Sequence, residues 1–197
     1  MKKLLYTFLA VSLIFSACEK EEETPTNNNN NNNNNSALAI GDTHQGGIVF
    51  YLDGNGGGLI AAPTDQSSGA EWGCVGTVIS GADGTAIGTG NQNTIDIVNA
   101  NCSPYSSGNL IAANICANLT LGGYSDWFLP SKDELNEMYL NIGQGSSLGN
   151  VGGFANLNYW SSTEGGTIGA WIQDFNDGDH YYDDKVINDY VRAVRSF

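Results

Sequence analysis

Positive charge is what this sequence lacks most. Seven Lys and Arg stand against 21 Asp and Glu in 197 residues, a formal net charge of −14. Proteins that hold nucleic acid neutralise phosphates with clustered Lys and Arg, so the composition argues against nucleic acid as a partner. Charge of either sign is scarce too: 14% of residues, against about 25% in ordinary soluble domains. The polar surface must therefore come from Asn, Ser, Thr and Gly, and 26 residues are Gly. No apolar run reaches the roughly 20 residues that a membrane-spanning helix needs. No Cys-x-x-Cys or paired-His spacing is present, which leaves zinc without ligands. The Gly-rich stretch Asp53–Gly58 is not followed by Gly-Lys-Ser/Thr, so it is no phosphate cradle. Neither a nucleophile elbow nor a His-Glu-x-x-His pattern occurs. No period of about 20–50 residues repeats, which argues against a solenoid. What remains is 41% apolar residues, enough for one core in one domain.

The first residues read as an address. Met1-Lys2-Lys3 is a short basic start, Leu4 to Phe15 is almost wholly apolar, and Ser16-Ala17 are small, the build of a secretory signal peptide over residues 1–17. Phe15-Ser16-Ala17-Cys18 resembles the lipobox of bacterial lipoprotein signal peptides. The resemblance implies lipidation of Cys18 and membrane attachment through it. Several acyl chains would anchor a chain that has no spanning helix, because each buried CH₂ contributes about 0.8 kcal/mol. Glu19-Lys20-Glu21-Glu22-Glu23 then resembles the acidic export signal of Bacteroidota surface lipoproteins, which implies an outer membrane location facing the exterior. Thr24-Pro25-Thr26 and the nine Asn of residues 27–35 follow. Such a tract cannot bury apolar area to offset its ordering entropy. Residues 18–36 are therefore expected to be a tether, reaching roughly 23 Å as a flexible coil. Seventeen of the acidic residues but only four of the basic ones lie beyond it, so residues 37–197 carry about −13.

Those residues read as strands, then helices, then strands, an α+β domain with antiparallel hairpins flanking two or three short helices. Gly46–Leu52 and Leu59–Pro63 form a hairpin around the Asp53–Gly58 turn. Gly69–Gly90 reads mostly as loop, with Gly76–Ser80 available for pairing. Asn93-Thr94 is expected to cap a helix through Asn101, and Asn109 a second with Ile111, Ile115 and Leu119 on one face. The third signal is the clearest: Ser131-Lys132-Asp133-Glu134 is a capping box after Pro130, with Leu135, Met138 and Ile142 on one face and Gly143 as the stop. Asn158–Ser162, Ala170–Phe175, His180–Val186 and Tyr190–Phe197 are the later strands. Of Cys74, Cys102 and Cys116, at most one pair forms. Cys102 and Cys116 flank a short connection, and theirs is the expected disulfide.

Asp126-Trp127-Phe128-Leu129-Pro130-Ser131-Lys132-Asp133-Glu134-Leu135, with Tyr159-Trp160-Ser161-Ser162-Thr163, Ala170-Trp171 and Val191-Arg192-Ala193-Val194-Arg195, resembles the Lcl C-terminal domain family. That family is named for the C-terminal domain of a Legionella collagen-like adhesin and is otherwise a domain of unknown function. It is distantly similar to C-type lectin and formylglycine-generating-enzyme folds. The resemblance implies a secreted or surface-borne, adhesin-like domain. The adhesin binds sulfated polysaccharide through basic residues; a head near −13 repels sulfate, so that ligand is not carried over.

Candidate residues fall into two groups. Trp127, Pro130, Ser131, Glu134 and Trp160 are expected to be structural. Arg192 and Arg195 are placed there too, as partners of internal carboxylates, although one of them could hold a ligand carboxylate. Trp171, Asp177, Asp179, His180, Tyr181 and Tyr182 put aromatic faces beside carboxylates, which suits the ring and hydroxyls of a neutral sugar. The same segment, 174–184, also reads as a Ca²⁺ site or as a plain hairpin turn. The expectation is thus a membrane-anchored surface lipoprotein with a non-catalytic head for glycan or another extracellular ligand, needing no cofactor. The alternatives are an envelope component that binds a protein partner and, last, a small hydrolase.

Overall fold

The computed structural model describes residues 37–197 apart from Ser107 and Asn109. The signal peptide, Cys18 and the tether lie outside the described residues. The elements in chain order are β1 (Thr43–His44), β2 (Gly47–Leu52), β3 (Gly58–Ala61), β4 (Ser67–Ala70), α1 (Gly90–Asn99), α2 (Ala112–Ala117), α3 (Lys132–Ile142), β5 (Asn158–Glu164), β6 (Gly169–Asp174), β7 (His180–Asp184), β8 (Asp189–Val191) and β9 (Val194–Ser196). One sheet has the order β1-β2-β3-β9 and the other β4-β8-β5-β6-β7. All pairs are antiparallel except β5 with β8. The described residues form a single α+β domain built on antiparallel hairpins.

Local chemistry explains the clearest elements. The β2–β3 turn closes because the Asp53 carboxylate accepts the N–H groups of Asn55 (2.7 Å) and Gly57 (2.9 Å). The start of α3 carries a reciprocal capping box. Ser131 Oγ accepts the Glu134 N–H, and Glu134 Oε2 accepts the Ser131 N–H at 2.7 Å. Glu134 is wholly buried and its second oxygen accepts the Gly88 N–H. Burial pushes its pKa up against the pull of those hydrogen bonds. A Cβ at Gly90 would overlap Glu134 Oε2, which is why the first residue of α1 carries no side chain.

Two apolar clusters fill the interior. One gathers Val49, Ile60, Trp72, Ile97, Trp160 and Ile172. The other gathers Phe50, Leu135, Met138, Tyr159 and Phe175 under α3. Each buried tryptophan directs its polar edge to a carbonyl: Trp72 Nε1 to Ser161 at 2.9 Å, Trp160 Nε1 to Ala70 at 2.7 Å. Trp127 Nε1 donates to Leu121 at 3.3 Å.

Three expectations are corrected. Tyr190–Phe197 is not one strand: β8 joins the five-stranded sheet and β9 the four-stranded one. The break lies at Arg192-Ala193, where the Ala193 N–H goes to the Gln66 side chain and its carbonyl accepts from Ala62. The first helix begins at Gly90, not after Asn93-Thr94. Asn93 lies inside it, bonded to Gly84 and Ser162, and Thr94 Oγ1 accepts the Leu129 N–H. Gly76–Ser80 lies in loop, as Gly69–Gly90 mostly reads, and does not take up the pairing left open for it. A buried ion pair takes up its polar groups instead: Lys185 Nζ donates to Thr77 O and to Glu164, whose carboxylate also accepts the Ile79 N–H. The disulfide joins Cys74 to Cys102, across 28 residues. Cys116 is a buried free thiol on the core face of α2, within the first apolar cluster, and Cys102 is taken by Cys74 instead. The Asn109 cap lies outside the described residues, and α2 follows an extended Ile111.

Loop closure over the 28-residue separation implies that Cys102→Ser costs about 3–4 kcal/mol of stability. Urea unfolding measures it. Cys116→Ser is expected to leave the disulfide intact, and peptide mapping under non-reducing conditions checks that.

Candidate functional site

The β6–β7 hairpin is held against α3, and the register decides which side chains meet. Trp171 pairs with Tyr182 and Gln173 with His180, so these four share one face. Ile172 pairs with Tyr181 and Ala170 with Asp183 on the other. Trp171 and Tyr182 stack with ring centroids 3.8 Å apart, tilted by 36°. Lys132, the first residue of α3, sets its Nζ 4.2 Å from the Trp171 centroid. A ring at 3.8 Å fills one face of the indole, so the ammonium occupies the other. Tyr182 also lies over Gly165, where a Cβ would overlap its ring. The result is a layered Lys132–Trp171–Tyr182 stack whose outermost ring is 58% exposed.

Beneath the stack, Gln173 Nε2 donates to Asn136 Oδ1 at 3.0 Å and to the Gly178 carbonyl at 3.2 Å. Gln173 Oε1 and His180 Nε2 are buried without partners. Burial, followed by the nearby Lys132, lowers the His180 pKa, while Asp133 and Asp179 oppose them. The turn is self-bonded: Asp174 accepts the Asn176 N–H at 2.7 Å and Asp177 the Asp179 N–H at 3.0 Å. Tyr139 packs its ring against Gly178 and so fixes the turn to α3.

The structure therefore divides the residues read as ligand-binding. Trp171, His180 and Tyr182 converge on the α3 side, although Trp171 has both faces covered. Tyr181 stands on the opposite face, 45% exposed, with its hydroxyl donating to Asp179 at 3.1 Å. That bond raises its pKa. Asp177 lies in the turn. Lys132, Asn136 and Gln173 were not singled out from the sequence. They sit at the first and fifth positions of a helix whose apolar stripe was legible, and at a strand position opposite His180, so hairpin register combined with helical period would have grouped them. Among the described residues no three His, Cys, Asp or Glu side chains converge as metal ligands.

The residues read as structural are all engaged inside the domain. Trp127, Ser131, Glu134 and Trp160 are buried, and the Pro130 carbonyl accepts the Ser162 N–H at 2.7 Å. Arg192 pairs with Asp65 at 2.7 Å. Arg195 pairs with Asp126 and covers the Tyr124 ring at 3.8 Å. The bond from Arg195 holds the Asp126 carboxyl below its ordinary range. With Lys185 on Glu164, three of the four cations among the described residues have carboxylate partners. A cleft of about 250 Å³ lined by Asn91, Ile95, Val98, Ser125, Asp126 and Trp127 shares no residue with the hairpin.

The fold and these sites define an α+β domain most of whose cations are spent on internal pairs and whose acidic hairpin exposes two tyrosines. The chain belongs to the Lcl C-terminal domain family, whose model matches residues 63–195. No curated protein matches the chain.

One carboxyl near the hairpin titrates unusually. Asp189, in β8, is 7% exposed and its Oδ2 has no partner. Burial first, then the neighbouring Asp183, push its pKa from 3.8 up to about 7, against the pull of Asn158. Between those two values the folded chain keeps a proton that the unfolded chain has released. Stability from this group is thus present at the acid end and lost as pH rises through about 7. Asp189→Asn is expected to flatten that part of the stability profile and to melt above the parent protein at alkaline pH. Melting curves across the window measure it, and parallel profiles would contradict the assignment.

Proposed function

We propose that this chain is a lipid-anchored protein of the outer membrane, facing the exterior, whose head is a non-catalytic binding module for a neutral glycan. The observation that carries the reading is the exposed Tyr182 ring, backed by Trp171 and Lys132 on a hairpin rich in Asp. A ring already fixed by its neighbours loses little freedom when a sugar stacks on it. Asp184, two residues on from Tyr182 and on the same face of β7, offers a carboxylate acceptor for sugar hydroxyls. Membership of an adhesin-like family supports recognition rather than catalysis. The charge near −13 beyond the tether supports a neutral ligand over a sulfated one. The reading needs no cofactor and no nucleic acid.

Glycan-array binding of the purified protein tests the head. Tyr182→Ala is expected to weaken the strongest glycan signal about tenfold, while Tyr105→Ala, an exposed tyrosine on another loop, leaves it unchanged. Equal binding by parent and Tyr182→Ala would remove the hairpin from the reading. For the anchor, Cys18→Ser is expected to move the protein from the membrane to the soluble fraction. A variant that still sediments with membranes would refute the lipid attachment.

A further inference from the structure

We propose that the outer edge of β7 is a docking strand for an extended, basic segment of a partner protein. The inference goes beyond glycan recognition and uses backbone groups that the glycan reading does not.

β7 ends the strand order of its sheet. The Asp174 N–H bonds to the Asp179 carbonyl and the Lys185 N–H to the Ile168 carbonyl. In an antiparallel ladder bonded residues alternate. Tyr181 and Asp183 therefore turn their backbone groups toward β6, and His180, Tyr182 and Asp184 turn theirs outward. The Asp184 N–H is taken by Asp183 Oδ1 at 2.8 Å. The N–H and C=O of His180 and Tyr182 face outward with no strand to receive them among the described residues. An open row of this kind templates strand addition unless something guards it.

The guard here has one sign. Asp177, Asp179, Asp183 and Asp184 flank the edge, and β7 carries no Lys or Arg. These carboxylates oppose a second copy, which brings the same four acids and a net charge near −13. They favour a guest rich in Lys or Arg. Tyr181 and Tyr182 are exposed on opposite faces of the strand. Basic side chains on either face of an added strand would lie beside a tyrosine ring and a carboxylate, gaining cation–π and cross-strand charge contacts. The side-chain stack on the α3 side pins β7 from within, so the edge is presented already extended.

The test uses the full chain and three synthetic peptides: alternating Lys-Val, alternating Glu-Val, and Lys-Val methylated at every second amide nitrogen. Binding is read by fluorescence anisotropy, and exchange at individual amides by NMR. The Lys-Val peptide is expected to bind and to slow exchange at the His180 and Tyr182 amides. Methylation and Glu-Val are each expected to weaken binding by about tenfold or more. His180→Pro removes an outward N–H without touching the β6 ladder and is expected to weaken Lys-Val binding. The double variant Asp179→Asn, Asp184→Asn keeps the hydrogen-bond acceptors and is expected to reduce both the affinity and its salt dependence. Equal binding of the plain and methylated peptides would overturn the proposal, because it would show charge attraction without strand pairing. No binding, or unchanged exchange at the two amides, would do the same. Self-association that protects those amides without peptide would replace the partner by a second copy. The methylated peptide keeps the test independent of whether His180→Pro folds.

Discussion

The Arg192 guanidinium is the tie on which the arrangement of the two sheets depends. It sits where the chain leaves β8 in one sheet and enters β9 in the other. Its Nε and Nη2 grip Asp65, Nη1 donates to the Ala62 and Gly152 carbonyls, and the plane lies 4.2 Å over the Phe154 ring. A charge this deeply buried is tolerable only because its donors and its charge are answered. Removing Asp65 would leave an uncompensated cation. Removing Arg192 would strand two loop carbonyls and the carboxylate at once. The strand switch, the loop after β3 and the loop before β5 are therefore one cooperative unit.

The same pattern recurs at smaller scale. Lys185 with Glu164 holds the irregular stretch after Cys74, and Glu71 holds the Tyr105 loop by accepting the N–H groups of Tyr105 and Ser106. Glu134 joins the starts of α1 and α3. A domain with few charged residues places most of its cations inside, where each one organises a loop. The surface left over is acidic, and that single sign sets what the hairpin can receive. Tyr139, Gln173 and the Lys132–Trp171–Tyr182 stack pin the hairpin to α3, so its outer surfaces are displayed by a rigid support.

Much of the fold was legible because it rests on short-range chemistry. Ser131 and Glu134 are three residues apart, so the capping box is a local pattern. Asp53 and Gly57 likewise announce their turn. The β2–β3 and β6–β7 hairpins follow from alternation bounded by turn residues. The hairpin does expose Tyr181 and Tyr182, but the division of its residues between two faces was not anticipated. That division follows from register. The covering of Trp171 depends on Lys132, 39 positions away in the chain.

Composition and local pattern by themselves determined the α+β class, the third helix, the hairpins and the acidic character of the domain, because each is set by neighbours within a few residues. Only the tertiary structure decided the Cys74–Cys102 pairing, the break at Arg192-Ala193, the early start of α1 and the open edge of β7. In the first three the deciding partner is remote: Arg192 meets Asp65 across 127 residues, and Gly90 meets Glu134 on another helix. Hydrogen-bond and charge satisfaction in the interior is a property of the assembled chain, and a buried polar group takes whichever partner folding brings within reach.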